Sequence, residues 1–237
     1  MKISIIGLGL IGGSYALSLK QRFKYLTLYG WDQNEAHNLE AKKRNIIDVS
    51  CRSLEEAFDQ GDWILLAIPV NAIESSLSGM LDMLAPHQLV IDFGSTKEHI
   101  CKVVEGHKKR DQFIAAHPIA GTEYSGPSAA FSTLYKDKVM IVCESEKTRP
   151  DFLSAFKVQC GALGMATIYL GAAEHDVHLA YVSHLSHIIA FGLSHTVLQK
   201  EESAMKILDL AGSGLASTVR LAKSSPDMWT PIFINNR

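Results

Sequence analysis

Gly7-Leu8-Gly9-Leu10-Ile11-Gly12 sets glycines in a G-x-G-x-x-G pattern, directly after the apolar run Lys2–Ile6 and at the opening of a helix from about Leu10 to Gln21. Such a loop lets backbone approach a pyrophosphate closely and turns a helix N-terminus toward its negative charge. Asp32 ends the next apolar run, Leu26–Trp31. A carboxylate there can accept hydrogen bonds from an adenosine ribose and repel a 2′-phosphate, so NAD is expected rather than NADP. The alternative for Asp32 is an N-cap of the polar helix Gln33–Arg44, because aspartate is a preferred cap. Gly7, Gly9, Leu10, Ile11, Gly12 and Asp32, with Pro69 just beyond the run Trp63–Ile68, are the cofactor-binding candidates.

Two further groups sit past apolar runs. Asp92-Phe93-Gly94-Ser95-Thr96-Lys97 follows Leu89–Phe93, and His117-Pro118-Ile119-Ala120-Gly121-Thr122-Glu123 follows Phe113–Ala116. Open α/β sheets place ligands at the carboxyl ends of their strands, where Ser95 and His117 can bind and polarise a substrate hydroxyl. The alternatives are a helix cap for Ser95 and a plain turn for His-Pro. A long helix downstream carries His175, Asp176, His178, His184, His187 and His195. At about 100° per residue, Asp176, His184, His187 and His195 fall within about a 100° arc, and His175 and His178 point elsewhere. No H-E-x-x-H and no nearby cysteine accompanies them, so no metal is expected. Arg220 follows the glycine-rich turn 211–214; a guanidinium can hold a carboxylate bidentately, although a solvated helix charge is the commoner role.

The elements that must position these residues are legible too. The strand-like runs named so far, with Val139–Cys143 and Met165–Leu170, are apolar at nearly every position, as in a sheet covered on both faces. Helical stretches between them, Thr148–Leu163 among them, imply right-handed βαβ units. From Gly171 the pattern turns helical, over Ala172–Lys200, Glu201–Ala211 and Ser217–Lys223. The fold class is therefore α/β: a doubly wound, mostly parallel sheet over 1–170, followed by an all-helical domain over 171–237. With 237 residues, 47% hydrophobic and 20% charged, the chain can build a real core and is not a disordered one. A net charge of −2 offers no general attraction for nucleic acid or anionic membranes. Four scattered cysteines without C-x-x-C, no signal sequence and no long apolar span read as a cytoplasmic protein with free thiols and a small-molecule substrate.

Taken together, IGLGLIGGS, DFGSTK, HPIAGTEYSG, AAEHDVHLAYVSHLSHIIA and RLAKSSPDMW resemble the prephenate dehydrogenase family, with arogenate dehydrogenases as close relatives, in order over essentially the whole chain. The resemblance implies NAD-dependent oxidative decarboxylation of prephenate to 4-hydroxyphenylpyruvate in tyrosine biosynthesis. It also implies a Rossmann domain followed by a helical dimerisation domain, hence a homodimer. By similarity His117 is the catalytic histidine on the ring 4-hydroxyl, and Ser95 its partner there. Arg220 binds a substrate carboxylate, and His187 lies near the substrate side chain. Asp176 and Glu123 form an acidic network with that arginine, and Trp229 closes the pocket. As a donor to a keto group, His187 favours prephenate. A neutral His117 must accept the hydroxyl proton, so activity should fall as pH drops through a histidine pKa of about 6.5.

Three positions depart from the family pattern. Ser186 replaces a proline, which implies a mild change in the helix. Ser217 replaces an aspartate three residues before Arg220, which leaves open how the arginine is held. Relatives also continue past Arg237, so the helical domain is expected to be short. Arogenate differs from prephenate by an amino for a keto group and is the alternative substrate. A β-hydroxyacid dehydrogenase would need a catalytic lysine in the helical domain, and Lys206 sits in no matching motif. A non-catalytic NAD-binding dimer is the remaining alternative.

Overall fold

Strands buried on both faces form the centre of the molecule. The computed structural model describes residues 1–201 and 208–237 in full and the backbone of 202–204. Chain order begins with β1 (Lys2–Ile6), α1 (Leu10–Arg22), β2 (Thr27–Trp31), α2 (Glu35–Lys43), β3 (Val49–Ser50), α3 (Leu54–Gln60), β4 (Trp63–Leu66), α4 (Val70–Asp82), β5 (Leu89–Asp92) and α5 (Glu98–Val103). It continues with β6 (Phe113–Pro118), β7 (Val139–Cys143), α6 (Pro150–Ala162) and β8 (Ala166–Leu170). Helices follow: α7 (Ala172–Leu179), a π-turn over Ala180–His184, α8 (Leu185–Ala204), α9 (Ser213–Thr218), a 3-10 turn over Val219–Lys223, and α10 (Pro226–Asn235).

Among the described residues, eight strands form one sheet in the order β3-β2-β1-β4-β5-β6-β7-β8. The order reverses between β1 and β4, which pair in parallel from Ile3↔Trp63 to Ile6↔Leu66; such a switch point opens a crevice at the carboxyl ends of the strands. Successive side chains feed opposite layers. Ile5, Leu65, Ile91 and Ile114 enter one core, whereas Ile6, Leu66, Val90 and Phe113 enter the other. That is why these runs carry no polar alternation.

One pairing is antiparallel: β6 with β7, from Ala115↔Cys143 to Pro118↔Met140. The connection 119–138 holds only the short 3-10 turn Pro127–Ala129, and without a helical crossover the chain returns antiparallel. Helix α6 then carries it back to pair β8 parallel to β7. Caps fix the helix starts: Asn34 Oδ1 accepts from Ala36 N ahead of α2, Ser53 accepts from Glu56 N ahead of α3, and Pro150 opens α6.

The expected helix Glu201–Ala211 falls partly on 205–207, outside the described residues, as does Lys206; α8 runs on to Ala204, and Leu208–Leu210 forms a 3-10 turn. The expected helix Ser217–Lys223 divides instead into the end of α9 and the following 3-10 turn. Ser186 is exposed and is the second residue of α8, which continues through it. Among the described residues no helix is long and apolar enough to cross a membrane.

Candidate active site

The glycine loop leaves β1 with Gly7 at φ +92, and a Cβ there would stand 2.3 Å from the Ala67 carbonyl oxygen. At Gly12 a Cβ would stand 2.1 Å from the Gly7 carbonyl oxygen. Both positions require glycine, because β1, α1 and the end of β4 are drawn together there. Gly9 differs: a Cβ there meets no atom within 4 Å, so the loop faces open space at the start of α1. Gly9 caps α1 without a side-chain bond, and no acidic side chain lies in the first turn. Free amides facing open space are what a pyrophosphate needs, so these residues fit a dinucleotide. Leu10 and Ile11 pack their side chains into the core and offer the site only backbone. Pro69 is exposed and caps α4, just beyond β4 and across the switch point.

Asp32 does not cap α2; Asn34 does. Its carboxylate accepts from Leu8 N at 2.9 Å and Asn34 N at 2.9 Å, and faces His37 Nδ1 at 3.2 Å. It therefore braces the glycine loop from the end of the neighbouring strand.

Ser95 lies just beyond β5 and His117 at the carboxyl end of the adjacent parallel β6, the two strands being registered Asp92↔Ala115. His117 lies within β6 rather than in a turn. Nor does Ser95 cap α5, since Asp176 Oδ1 accepts from Lys97 N at 2.7 Å and Oδ2 from Glu98 N at 2.9 Å. Behind them Lys97 and Asp92 form a fully buried ion pair at 2.5 Å, with Gly94 N donating to the other Asp92 oxygen. Burial pushes the Asp92 carboxyl above the usual carboxylate range, against the pull of Lys97.

The helical segment corrects two expectations. His175, set off the functional arc by the uniform wheel, is fully buried, with Nε2 2.9 Å from His117 Nδ1. The π-turn adds about one residue and turns everything beyond it back by about 100°. Rephased in this way, His175, Asp176, His184 and His187 share one face, and His195 is exposed farther along α8. Asp176, expected beside Arg220, instead commits its oxygens to Lys97 N, Glu98 N and His175 Nδ1, the last at 2.7 Å.

Glu123 alone of the expected acidic pair meets Arg220, at 3.4 Å, with the guanidinium half exposed. Ser217 Oγ donates to Gly214 O, so the arginine is held from the β6–β7 connection and not from its own helix. Trp229 is buried, stacks on His187 at 3.6 Å and meets His184 edge-on at 5.8 Å. His187 Nδ1 donates to Ser183 O at 3.0 Å, so a neutral His187 presents Nε2 as an acceptor. Donation to a keto group, as the sequence implied, requires a protonated ring.

Desolvation, joined by His175, Lys97 and His184, holds His117 well below the ordinary histidine range. The acid limb of activity therefore belongs well below 6.5. Burial likewise lowers His175, His184 (to about 4) and His187. Depressed folded-state values mean that the unfolded chain binds more protons, so stability is full above about 6.5 and declines as pH falls toward 4. Thermal melts across that window should show a continuous fall in Tm; a flat Tm contradicts the assignment of four neutral histidines.

Comparison with known proteins agrees with this geometry. Residues 15–164 match the prephenate dehydrogenase nucleotide-binding domain and residues 171–237 the prephenate dehydrogenase dimerization domain. The chain is 30% identical over 235 residues to the cyclohexadienyl dehydrogenase of Zymomonas mobilis, covering 99% of this chain and 80% of that protein. It is 29% identical to the prephenate dehydrogenase of Bacillus subtilis, covering 99% of this chain but only 64% of that longer protein. The prephenate dehydrogenase of A. aeolicus, solved in complex with hydroxyphenyl propionate and NAD+, superposes with a TM-score of 0.90 at 30% identity, over 100% of this chain and 82% of that one. With both domains matched in order over a sheet, glycine loop and histidine cluster of this arrangement, the chain belongs to the prephenate dehydrogenase family.

Proposed function

We propose that this protein catalyses the NAD-dependent oxidative decarboxylation of prephenate to 4-hydroxyphenylpyruvate, with release of CO2. The observation that carries the reading is the half-buried imidazole of His117, held neutral at the carboxyl end of a central strand whose neighbour leads into the Ser95 loop. Bound NAD supplies a hydride acceptor for the ring carbinol carbon. His117 takes the hydroxyl proton as the carbinol C–H bond breaks, and Ser95 hydrogen-bonds the same oxygen. The ring C–carboxylate bond then cleaves, its electron pair enters the ring, the phenolate oxygen takes the proton back from His117, and aromatisation makes the step irreversible. Asp32 holds the adenosine ribose, while the loop from Gly7 to Gly12 and Pro69 frame the dinucleotide.

Arg220, steadied by Glu123, pairs with a substrate carboxylate, and His187 and Trp229 line the side-chain end. Arg220→Ala should raise KM for prephenate about 10- to 100-fold while kcat changes much less, since a charged hydrogen-bond pair is lost equally from ground and transition states. Steady-state kinetics check this; an unchanged KM removes the assignment. The division at Gly171, a cytoplasmic setting and a homodimer are parts of the same proposal. The dimer is supported by apolar side chains exposed on α7 and the π-turn, with Val177 at 56%, Tyr181 at 73% and Val182 at 75%.

Prephenate deuterated at the carbinol carbon tests the reaction itself. One deuterium should appear in the reduced nicotinamide for each CO2 released; unlabelled NADH contradicts the reading. Arogenate is the second reading, favoured by one observation. A neutral His187 offers an acceptor at Nε2, which suits the ammonium group of arogenate.

A further inference from the structure

Asp176, His175 and His117 form a chain of directed hydrogen bonds, which runs from the N-terminus of α5 to the reacting end of the site. The Asp176 carboxylate is an acceptor only: burial pushes its pKa up, but the bonds from His175, Glu98 N and Lys97 N outweigh this and hold it ionised. His175 Nδ1, 2.7 Å away, must therefore carry the proton, which leaves Nε2 of a neutral His175 bare. His117 Nδ1 lies 2.9 Å from that bare nitrogen and must in turn be the donor. A neutral imidazole carries a single N–H, so His117 Nε2 is left with an open lone pair.

We propose that His175 and Asp176 are positioning residues that fix His117 in its Nδ1–H tautomer, so that Nε2 is the proton acceptor for the substrate hydroxyl. The chain does more than orient a ring. As His117 becomes an imidazolium, its Nδ1–H remains bonded to His175, whose own N–H is bonded to the Asp176 carboxylate, so the new charge is stabilised two residues back. The other ionisable groups acting on His117 are Lys97, which is paired with the buried Asp92, and His184. The lysine disfavours an imidazolium, which makes the stabilisation through His175 the more necessary. The inference rests on the proposed role of His117.

Nitrogen-15 spectra of the histidine rings of the ligand-free protein read the tautomer without any turnover, and His117→Asn identifies the signals. The expected result is His117 protonated at Nδ1; protonation at Nε2 overturns the proposal. His175→Leu should lower kcat about 10²- to 10⁴-fold, shift the acid limb of the pH profile and leave NAD affinity unchanged. His175→Gln, whose amide can accept from His117 and donate to Asp176, should recover most of that loss. Equal damage from Leu and Gln, with KM and NAD affinity also impaired, marks a structural role and overturns the proposal. If His117→Asn abolishes turnover but His175→Leu changes neither kcat nor tautomer, only the positioning role fails. If His117→Asn retains turnover, the catalytic reading itself fails, and the spectra still decide the tautomer.

Discussion

His117→Asn is expected to lower kcat about 10³- to 10⁴-fold while NAD affinity stays within about twofold of the parent protein. Asparagine can keep one hydrogen bond to His175 or to the substrate hydroxyl, but it cannot take up the proton as the carbinol C–H bond breaks. The glycine loop and Asp32 lie beyond β1 and β2, so nothing that frames the dinucleotide is touched. The pH dependence gives a second readout. The acid limb of the parent profile should sit well below 6.5, because burial and the neighbouring His175, Lys97 and His184 oppose protonation of His117. That limb should vanish in the variant's residual activity. Steady-state kinetics with NAD titrated separately decide the matter; preserved turnover or lost NAD binding contradicts the assignment.

Lys97→Met should destabilise the protein by about 3–5 kcal/mol, the usual cost of leaving one partner of a buried ion pair uncompensated. Lys97 and Asp92 are both fully buried, and their contact at 2.5 Å is the reason a charge is tolerated beneath the active site. Asp92→Asn in the Lys97→Met background should recover much of the loss, since no buried charge then remains. The sign with pH follows from Asp92, whose carboxyl burial already raises. Without the ammonium its pKa rises further, so the folded state of the variant binds a proton that the unfolded chain does not. The deficit relative to the parent should therefore shrink as pH falls. Denaturant midpoints at two pH values test both parts; an unchanged midpoint for Lys97→Met contradicts the account.

Local pattern carried most of the fold. Continuous apolar strands, the glycine loop and the change of texture at Gly171 define a parallel sheet followed by helices, and the architecture follows them. The antiparallel return of β7 was not legible, because it depends on the absence of a helix between 119 and 138 and not on any residue within the strand. Of the proposed site, Ser95, His117 and Arg220 are candidates by residue type and position, whereas Glu123 and Trp229 enter only through the family resemblance. A uniform 100° step misplaces His175 for a geometric reason, because the helix holds a π-turn at Ala180–His184. The His175-Asp176 pair, at the end of the helix nearest the strand termini, was the available signal. Lys97 was visible only as part of a motif, since its complete burial depends on elements that converge from across the chain.

Prephenate and arogenate supplied in parallel, with NAD or NADP, should be followed by measuring both the reduced cofactor and CO2. Equimolar NADH and CO2 are expected from prephenate with NAD, with much slower turnover with NADP. Turnover of arogenate alone moves the substrate to the second reading and keeps the chemistry. NAD binding without turnover of either substrate contradicts the account and returns the chain to a dinucleotide-binding protein without this activity.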